Sequence, residues 1–361
     1  MTTILLAGGG TAGHVNPMLA VADALQATIP GVQIVIVGTA EGLESRLVPE
    51  RGYQLNTIPK VPFPRRPNRA ALRFWPQLRR AQRRVEELIR EHHVDVVAGF
   101  GGYVSTPVYL AARRAQVPIV VHEANAKPGL ANRLGARLTN AVGVAFPGTP
   151  LANGQVVGMP LRREVEAIAQ STETRAAMRA EACVEFALDP KRPTLLVTGG
   201  SLGARRINET IRATASTILD SGWNILHLVG GTPEIDDPGI DGYRQLRYLD
   251  RMELALALAD VAVSRAGSST VSELTAMAVP TVYIPYAVGN GEQRLNAAAV
   301  VNAGGAVLVE DREFPPEWVT QRLLPLLANA NLRAEMRTAA AGVGVVDGTA
   351  RTVSLIQSVL A

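Results

Sequence analysis

Cysteine is almost absent: 361 residues contain one, Cys183. That excludes a disulfide framework within the chain and argues against a cysteine-based metal site. It fits a reducing cytoplasm. No stretch approaches the roughly 20 apolar residues that a membrane helix needs. The start, Met1-Thr2-Thr3-Ile4-Leu5-Leu6, lacks the basic residues and long apolar run of a secretory leader. Low-complexity tracts and short repeat periods are missing as well. Together these absences point to a protein that is soluble or lies on a membrane surface.

What is present is globular composition, with 47% hydrophobic and 19% charged residues and a formal net charge of +4. The length suits two cores of ordinary size. Short apolar runs recur, each followed by a glycine-rich turn and a helical pattern. In the first half they are Ile4–Ala7, Gln33–Val37, Asp95–Ala98, Ile119–Val121 and Ala141–Phe146. In the second they are Thr194–Thr198, Ile225–Val229, Asp260–Ser264, Thr281–Ile284 and Ala306–Val309. Runs without alternation fit parallel strands buried on both faces, and strand–helix alternation fits right-handed crossovers. Two such series imply two Rossmann-like α/β domains; a single barrel is the alternative. The expected boundary lies near Gly158-Met159-Pro160, and the final helix-like segment, Thr349–Leu360, is expected to fold back onto the first domain.

Three glycine-rich or hydroxyl-rich loops follow strands. The first, Gly8-Gly9-Gly10-Thr11-Ala12-Gly13-His14, contains G-x-G-x-x-G and leads into a helix expected over Pro17–Ala27. Such glycines let backbone N–H groups approach an anion at a helix N-terminus. A dinucleotide enzyme also places an acid at the end of its second strand to hold a ribose. Here that strand ends Val37-Gly38-Thr39-Ala40 with Glu41 beyond it, which disfavours an oxidoreductase. The second loop is Thr198-Gly199-Gly200-Ser201-Leu202-Gly203, and the third is Arg265-Ala266-Gly267-Ser268-Ser269-Thr270. Helix capping explains either one alone: Ser201 suits an N-cap, and Thr270-Val271-Ser272-Glu273 reads as a capping box. All of them together, at the carboxyl ends of strands in both halves, favour a ligand in a cleft between domains.

An ordered set of motifs then resembles a known family. They are Gly9-Gly10-Thr11-Ala12-Gly13-His14, Gly101-Gly102-Tyr103-Val104-Ser105, His122-Glu123-Ala124-Asn125 and Val157-Gly158-Met159-Pro160-Leu161-Arg162. Gly199–Arg205, Ser268–Glu273 and Glu292-Gln293-Arg294-Leu295-Asn296-Ala297 complete the set. The chain resembles, over nearly its whole length, the MurG family of peptidoglycan synthesis, UDP-N-acetylglucosamine:undecaprenyl-diphospho-muramoyl-pentapeptide N-acetylglucosaminyltransferases. The resemblance implies a GT-B fold of two Rossmann-like domains facing an interdomain cleft. Residues 1–161, with a C-terminal helix at 348–361 packed back on them, are then the acceptor and membrane domain, and 162–347 the UDP-sugar domain. It also implies inverting transfer from UDP-N-acetylglucosamine to the muramic 4-hydroxyl of lipid I, giving lipid II. Family donor contacts carried over by motif fall on Thr11, Ala12, Gly13, Asn125, Arg162, Ser201, Leu249, Ser268, Ser269, Thr270, Val271, Ser272, Glu273 and Gln293. The chain departs from the family where Gly158-Met159-Pro160 replaces a common Gly-Asn-Pro, and where Ala12 replaces a common glycine. Neither change removes a charge or nucleophile that the chemistry requires.

Inverting transfer needs a hydroxyl made more nucleophilic and a stabilised leaving diphosphate. His14 is the expected general base, since an imidazole is substantially neutral at cytoplasmic pH and accepts a proton. The plainer role for it is a hydrogen bond within its own turn. Glu123 is a rival base, a group that orients the acceptor, or a buried structural carboxylate. The Arg162 fork suits phosphate or carbonyl oxygens, and an interdomain salt bridge is its plainer role. Glu273 suits a pair of ribose hydroxyls, and Gln293 suits sugar hydroxyls with Asn296 as a brace or a structural residue. No Asp-x-Asp element stands where a metal-bound diphosphate would need it. Asp236-Asp237, in Pro233–Pro238, reads as solvated loop. Neither a metal nor another cofactor is expected.

The basic excess is concentrated in Arg65, Arg66, Arg69, Arg73, Arg79, Arg80, Arg83, Arg84 and Arg90, interleaved with Leu72, Phe74, Trp75 and Leu78. The pattern fits an amphipathic surface on anionic headgroups. A solvated face paired with Glu86 and Glu87 fits it too, as does RNA binding. A lipid-linked acceptor favours the membrane: the expectation is a peripheral protein on the cytoplasmic face of the cell membrane, without nucleic acid. The rivals are a UDP-sugar epimerase, a transferase with a soluble acceptor, and a non-catalytic nucleotide-sugar or RNA binder.

Overall fold

The computed structural model describes residues 1–63, 69–200, 203–231, 237, 239–286 and 291–360, and side chains throughout these except at 69–73. The chain divides into two compact units, Met1–Arg162 with Asp347–Ala361, and Arg163–Val346.

In the first unit the strands are β1 (Thr3–Ala7), β2 (Gln33–Gly38), β3 (Leu55–Thr57), β4 (Val96–Gly99), β5 (Ile119–Glu123), β6 (Ala141–Val144) and β7 (Gly154–Val156). They form one parallel sheet in the order β3-β2-β1-β4-β5-β6-β7. Helices α1 (Ala12–Thr28), α2 (Glu44–Glu50), α3 (Arg69–Glu91), α4 (Ser105–Arg114) and α5 (Leu130–Gly135) belong to the same unit.

Burial on both faces explains the unbroken apolar strands. Leu5, Ala7, Val35, Val37 and Val97 pack with Phe74, Leu78, Val85 and Leu88 of α3 and Val108 of α4. Ile4, Leu6, Ile36, Val96 and Val120 face the other way, against Val15, Met18 and Leu19 of α1. Val353 and Ile356 of the last helix, Gly348–Gln357, join that second cluster. Each fully buried aliphatic side chain contributes about 1.5–3 kcal/mol.

The second unit repeats the plan with β8 (Thr194–Thr198), β9 (Asn224–Leu228), β10 (Tyr243–Leu246), β11 (Ala259–Ser264), β12 (Thr281–Tyr283) and β13 (Ala306–Leu308). Its sheet is parallel, in the order β10-β9-β8-β11-β12-β13. Both units are therefore Rossmann-like, and the barrel alternative falls.

Three features differ from the sequence expectation. Strands β3, β7 and β10 lie outside the apolar runs of the sequence; they are short edge strands, and β7 is exposed along its length. The first helix begins at Ala12 rather than Pro17, so His14 lies in its first turn. Phe74 and Leu78 are core residues, 8% and 5% exposed, and are not part of an outer membrane face.

Candidate active site

In open parallel sheets of this strand order, ligands sit beyond the carboxyl ends of the strands where the order reverses. In the first unit that point lies between β1 and β4. The loops leaving these strands touch through backbone: Gly102 has φ +83°, and a Cβ there would land on the Gly9 carbonyl oxygen. Gly101 has φ +100°, and a Cβ there would stand 3.0 Å from His14 Cδ2 and 3.1 Å from its Nε2. A residue with no side chain at 101 leaves that edge of the imidazole uncovered.

His14 Nδ1 lies 3.1 Å from the Gly9 carbonyl oxygen and 3.2 Å from Thr11 Oγ1. A carbonyl only accepts, so the bond to Gly9 requires the hydrogen on Nδ1 and leaves Nε2 of the neutral ring with a lone pair. His14 does bond its own turn, and that bond selects the tautomer a base needs. Thr11 is the N-cap of α1 without a side-chain capping bond, so its hydroxyl serves His14 instead.

Glu123 ends β5 and is 2% exposed. Its Oε1 accepts from the Asn125 N–H at 2.9 Å, and its Oε2 from the Gly129 N–H and Asn132 Nδ2, each at 3.0 Å. Of the three roles open to it, this arrangement fits the structural one: a buried carboxylate that shapes the 125–129 loop. Asn132, which the sequence reading did not single out, ties the region together. It donates to the His122 carbonyl at 3.0 Å and accepts from the Tyr109 hydroxyl at 2.8 Å. Its amide nitrogen would also stand 3.4 Å from a Cβ at Gly101. The neighbouring His122 is buried, with Nε2 2.9 Å from the Gly158 carbonyl. Burial pushes it down to about 4, against that bond and with some help from His14.

In the second unit the corresponding point lies between β8 and β11. The loop after β8 turns through Gly200 (φ +77°) and Gly203 (φ +77°), closed by a 2.9 Å bond from the Gly203 N–H to the Gly200 carbonyl. Gly230, after β9, packs backbone to backbone on Gly203, where a Cβ has no room. Ser201 and Leu202 lie outside the described residues, so the placing of Ser201 is not described. The same holds for Asp236 and its neighbours 233–235 and 238.

The loop after β11 leads into the helix Ser268–Ala276, whose N-cap is Gly267. The capping-box reading of Thr270–Glu273 is therefore wrong: Thr270 is the third helical residue, and the cap carries no side-chain bond. Ser268, Ser269 and Thr270 are instead the first three residues of a helix whose first N–H groups lack intrahelical acceptors. Glu273 follows in the same helix, half-buried. The Gln293 side-chain oxygen accepts from the Tyr286 N–H at 2.8 Å, and Asn296 donates to the Ala266 carbonyl at 3.3 Å. Asn296 thus braces the loop after β11. Arg265, 9% exposed, pairs with Asp311 at 2.6 Å and donates to the Ile284 and Pro285 carbonyls, fixing the segment that carries Tyr286. Leu249 is half-buried beyond β10. Among the described residues no group of three or more His, Cys, Asp and Glu is arranged to hold a metal ion.

Residues 4–144 match the glycosyltransferase family 28 N-terminal domain and residues 194–352 its C-terminal domain. The UDP-N-acetylglucosamine--N-acetylmuramyl-(pentapeptide) pyrophosphoryl-undecaprenol N-acetylglucosamine transferase of Leifsonia xyli subsp. xyli is 59% identical over 358 residues, 99% of each chain. The crystal structure of Acinetobacter baumannii MurG superposes with a TM-score of 0.78 at 29% identity, covering 99% of this chain and 100% of that one. The chain belongs to the MurG family, within glycosyltransferase family 28. Its fold is GT-B. A UDP-GlcNAc 2-epimerase from Neisseria meningitidis shares this fold, with a TM-score of 0.70 over 99% of this chain and 100% of that one, but at 13% identity. That likeness carries the fold alone.

The site residues expected from the sequence sort by unit. Thr11, Ala12, Gly13, His14, Glu123 and Asn125 stand at the carboxyl ends of β1 and β5 in the first, and Arg162 is its last residue before the C-terminal helix returns. Leu249, Ser268, Ser269, Thr270, Val271, Ser272, Glu273 and Gln293 follow the carboxyl ends of β10, β11 and β12 in the second. Val271 alone of these is a core side chain, 2% exposed, so any part it takes in binding is through its backbone.

The arginine segment is divided by the core. Arg65 and Arg66 lie outside the described residues, as do the side chains of Arg69, Leu72 and Arg73. Trp75 is 64% exposed, and its ring meets that of the core residue Phe74 edge-on, with centroids 5.3 Å apart. Arg79, Arg80, Arg83 and Arg90 are exposed, whereas Arg84 is paired with Glu87 at 3.0 Å and Glu91 at 3.4 Å. Arg79, Arg80, Arg83 and Arg84 line a groove of about 710 Å³ with Thr57, Pro59 and Pro76. Among the described residues no helix is long and apolar enough to cross a membrane.

Proposed function

We propose that the protein transfers N-acetylglucosamine from UDP-N-acetylglucosamine to the muramic 4-hydroxyl of lipid I, with inversion, to give lipid II of peptidoglycan synthesis. The observation that carries the chemistry is the His14 imidazole, with Nδ1 held by the Gly9 carbonyl and Nε2 open beside Gly101. Nε2 takes the proton of the 4-hydroxyl as its oxygen attacks C1 of the sugar. The bond from C1 to the diphosphate breaks, and UDP leaves with the electron pair. The start of the helix Ser268–Ala276 and the Arg162 guanidinium stabilise that charge. Glu273 accepts from the ribose hydroxyls, Gln293 bonds the sugar, and the backbone at Leu249 faces the uracil. Thr11, Ala12, Gly13 and Asn125 complete the donor contacts, with Ser201 in the loop after β8. Glu123 shapes the acceptor side. The first unit is then the acceptor and membrane domain, and the second the UDP-sugar domain.

The deciding experiment incubates the purified protein with radiolabelled UDP-N-acetylglucosamine and a lipid I analogue. A lipid-linked disaccharide is expected. Free sugar without it marks an epimerase, and UDP or RNA binding without turnover marks a binding protein.

The same reading puts the protein on the cytoplasmic face of the cell membrane, held peripherally by the exposed arginines of α3 together with the exposed Trp75. Each arginine near an anionic surface contributes about 1 kcal/mol. Replacing Arg79, Arg80 and Arg83 with glutamate is expected to abolish sedimentation with phosphatidylglycerol vesicles while transfer to a soluble acceptor analogue persists. Unchanged sedimentation defeats the membrane assignment and leaves the transfer reaction untouched.

A further inference from the structure

The first glycine-rich loop presents His14, and one of its N–H groups, that of Gly10, is already bonded to an anion of the protein itself. Glu44, the first residue of α2, is 0% exposed. Its Oε1 accepts from the Thr39 N–H at 2.9 Å and the Thr39 hydroxyl at 2.7 Å, and its Oε2 accepts from the Gly10 N–H at 2.9 Å. Burial alone would raise this carboxyl, yet the bonds from Gly10 and Thr39 outweigh burial and hold it below its ordinary value. The carboxylate is thus buried as an anion and paid for in hydrogen bonds.

The glycines around it come from two segments, the loop after β1 and the end of β2 with its turn into α2. A Cβ at Gly9 would stand 2.6 Å from Glu44 Oε1, one at Gly38 would stand 2.5 Å from its Cγ, and one at Gly42 would overlap the carboxylate. In dinucleotide-binding units the N–H groups of this loop face a pyrophosphate. Here the Gly10 N–H faces the protein's own carboxylate.

That N–H belongs to the same peptide group as the Gly9 carbonyl. A trans peptide points its N–H and C=O in opposite directions. One peptide plane is therefore gripped at its nitrogen by Glu44 and at its oxygen by His14 Nδ1. We infer that Glu44 is a positioning residue for the transfer reaction, acting on His14 through the Gly9–Gly10 peptide. The carboxylate polarises the amide, the carbonyl becomes a stronger acceptor for Nδ1–H, and the imidazolium formed during proton transfer is stabilised. The arrangement does for this base what a carboxylate bonded directly to the imidazole does in a Ser-His-Asp triad, with a peptide group inserted between them. The other titratable side chains nearby, His122 and Glu123 on β5, are buried, and burial holds His122 neutral. The inference rests on His14 being the base.

The test compares Glu44→Gln with Thr39→Val. Glutamine keeps the shape but removes the charge and leaves one acceptor oxygen where the carboxylate offers two, to the N–H groups of Gly10 and Thr39. Valine removes one bond to Glu44 and leaves the Gly10 clamp intact. For E44Q, kcat is expected to fall about ten- to hundredfold, KM for UDP-N-acetylglucosamine to stay within about twofold, and the acid limb of the pH–rate profile to move to lower pH. For T39V, Tm falls without movement of that limb. If E44Q keeps its kcat and pH profile, or if both variants lose activity only in proportion to lost stability, the inference is overturned. A readout independent of activity and of folding in the variant is available in the unaltered protein. Nitrogen-15 NMR of His14 is expected to show hydrogen on Nδ1 in the neutral ring, with a Gly10 amide resonance shifted strongly downfield. The Nε2–H tautomer, or a Gly10 amide at an ordinary position, would sink it even if the transfer reaction itself proved different.

Discussion

The two units are built alike and equipped differently. Their sheets share one strand order, with the reversal between β1 and β4 in the first and between β8 and β11 in the second. In the first, the Gly10 N–H is taken by the Glu44 carboxylate at 2.9 Å, and the loop presents an imidazole. In the second, the Gly200 N–H donates, among the described residues, to the neutral Thr198 hydroxyl, at 3.3 Å. Topology decides where a ligand can sit, and loop chemistry decides which ligand it is. A loop that already holds an anion repels a second one. It is suited to an alcohol, whereas a loop with loosely engaged donors beside a helix start is suited to a diphosphate. On the function proposed here, the first loop presents the base and adds donor contacts through Thr11, Ala12 and Gly13, while the loops of the second unit hold the diphosphate.

The largest expected break in this division comes from His14→Ala. Loss of a general base lowers kcat by about 10²–10⁴-fold. UDP affinity, assigned to the other unit, is expected to stay within about threefold by calorimetry. Equal losses in turnover and affinity would tell against a base in the first loop.

A matched pair of glycine substitutions sharpens the comparison. Gly102 and Gly230 each have positive φ, and each would drive a Cβ into the backbone of its unit's first glycine loop, Gly9 in one case and Gly203 in the other. The strained backbone costs about 1–3 kcal/mol, and a collision with main chain adds to it. Gly102→Ala is expected to lower kcat with little change in KM for the donor, and Gly230→Ala to raise that KM with a smaller change in kcat. Steady-state kinetics at a temperature where both variants are folded reads the split. The same pattern in both would mean that the loops do not divide the substrates.

The central strands are legible in the sequence because burial on both faces demands an unbroken apolar run, as in Ile4–Ala7 and Thr194–Thr198. The edge strands are not: Gly154–Val156 is exposed throughout and carries no such demand. The loops are legible as glycines at strand ends, since positive φ and close backbone approach leave that mark. Glu44 is not legible, because a search for an acid at the end of β2 stops at Glu41, while the residue that matters lies past a turn and reveals itself only through the glycines it displaces. Amphipathic spacing found α3 but not what its apolar face meets. Phe74 and Leu78 have the spacing of a membrane face and lie in the core. Helix-start signals misled at Thr270, where Gly267 makes the turn that a hydroxyl was expected to make.

The smallest expected effect concerns the pair of buried histidines, one in each unit. Burial holds His122 down at about 4 and His227 at about 3, the latter with Arg212 adding to the effect. Both values lie below that of an exposed imidazole, so the unfolded chain takes up these protons first. Stability from each neutral ring is full above about pH 6.5 and is lost as pH falls toward the folded value. Glu44 acts in the same direction but only below the ordinary carboxylate range, because its pKa is lowered. Between pH 7 and pH 5 the imidazoles therefore act with little interference from it, each costing about 2 kcal/mol. His122→Gln keeps a donor for the Gly158 carbonyl, and His227→Gln keeps one for Asn208; neither titrates. Each variant is expected to flatten the fall of Tm between pH 7 and pH 5 by a few degrees in its own unit's transition. Should the slope be unchanged in both, the imidazoles are already accessible to protons in the folded state. Flattening in one unit only would show that the two sheets, alike in strand order, differ in how tightly they exclude water.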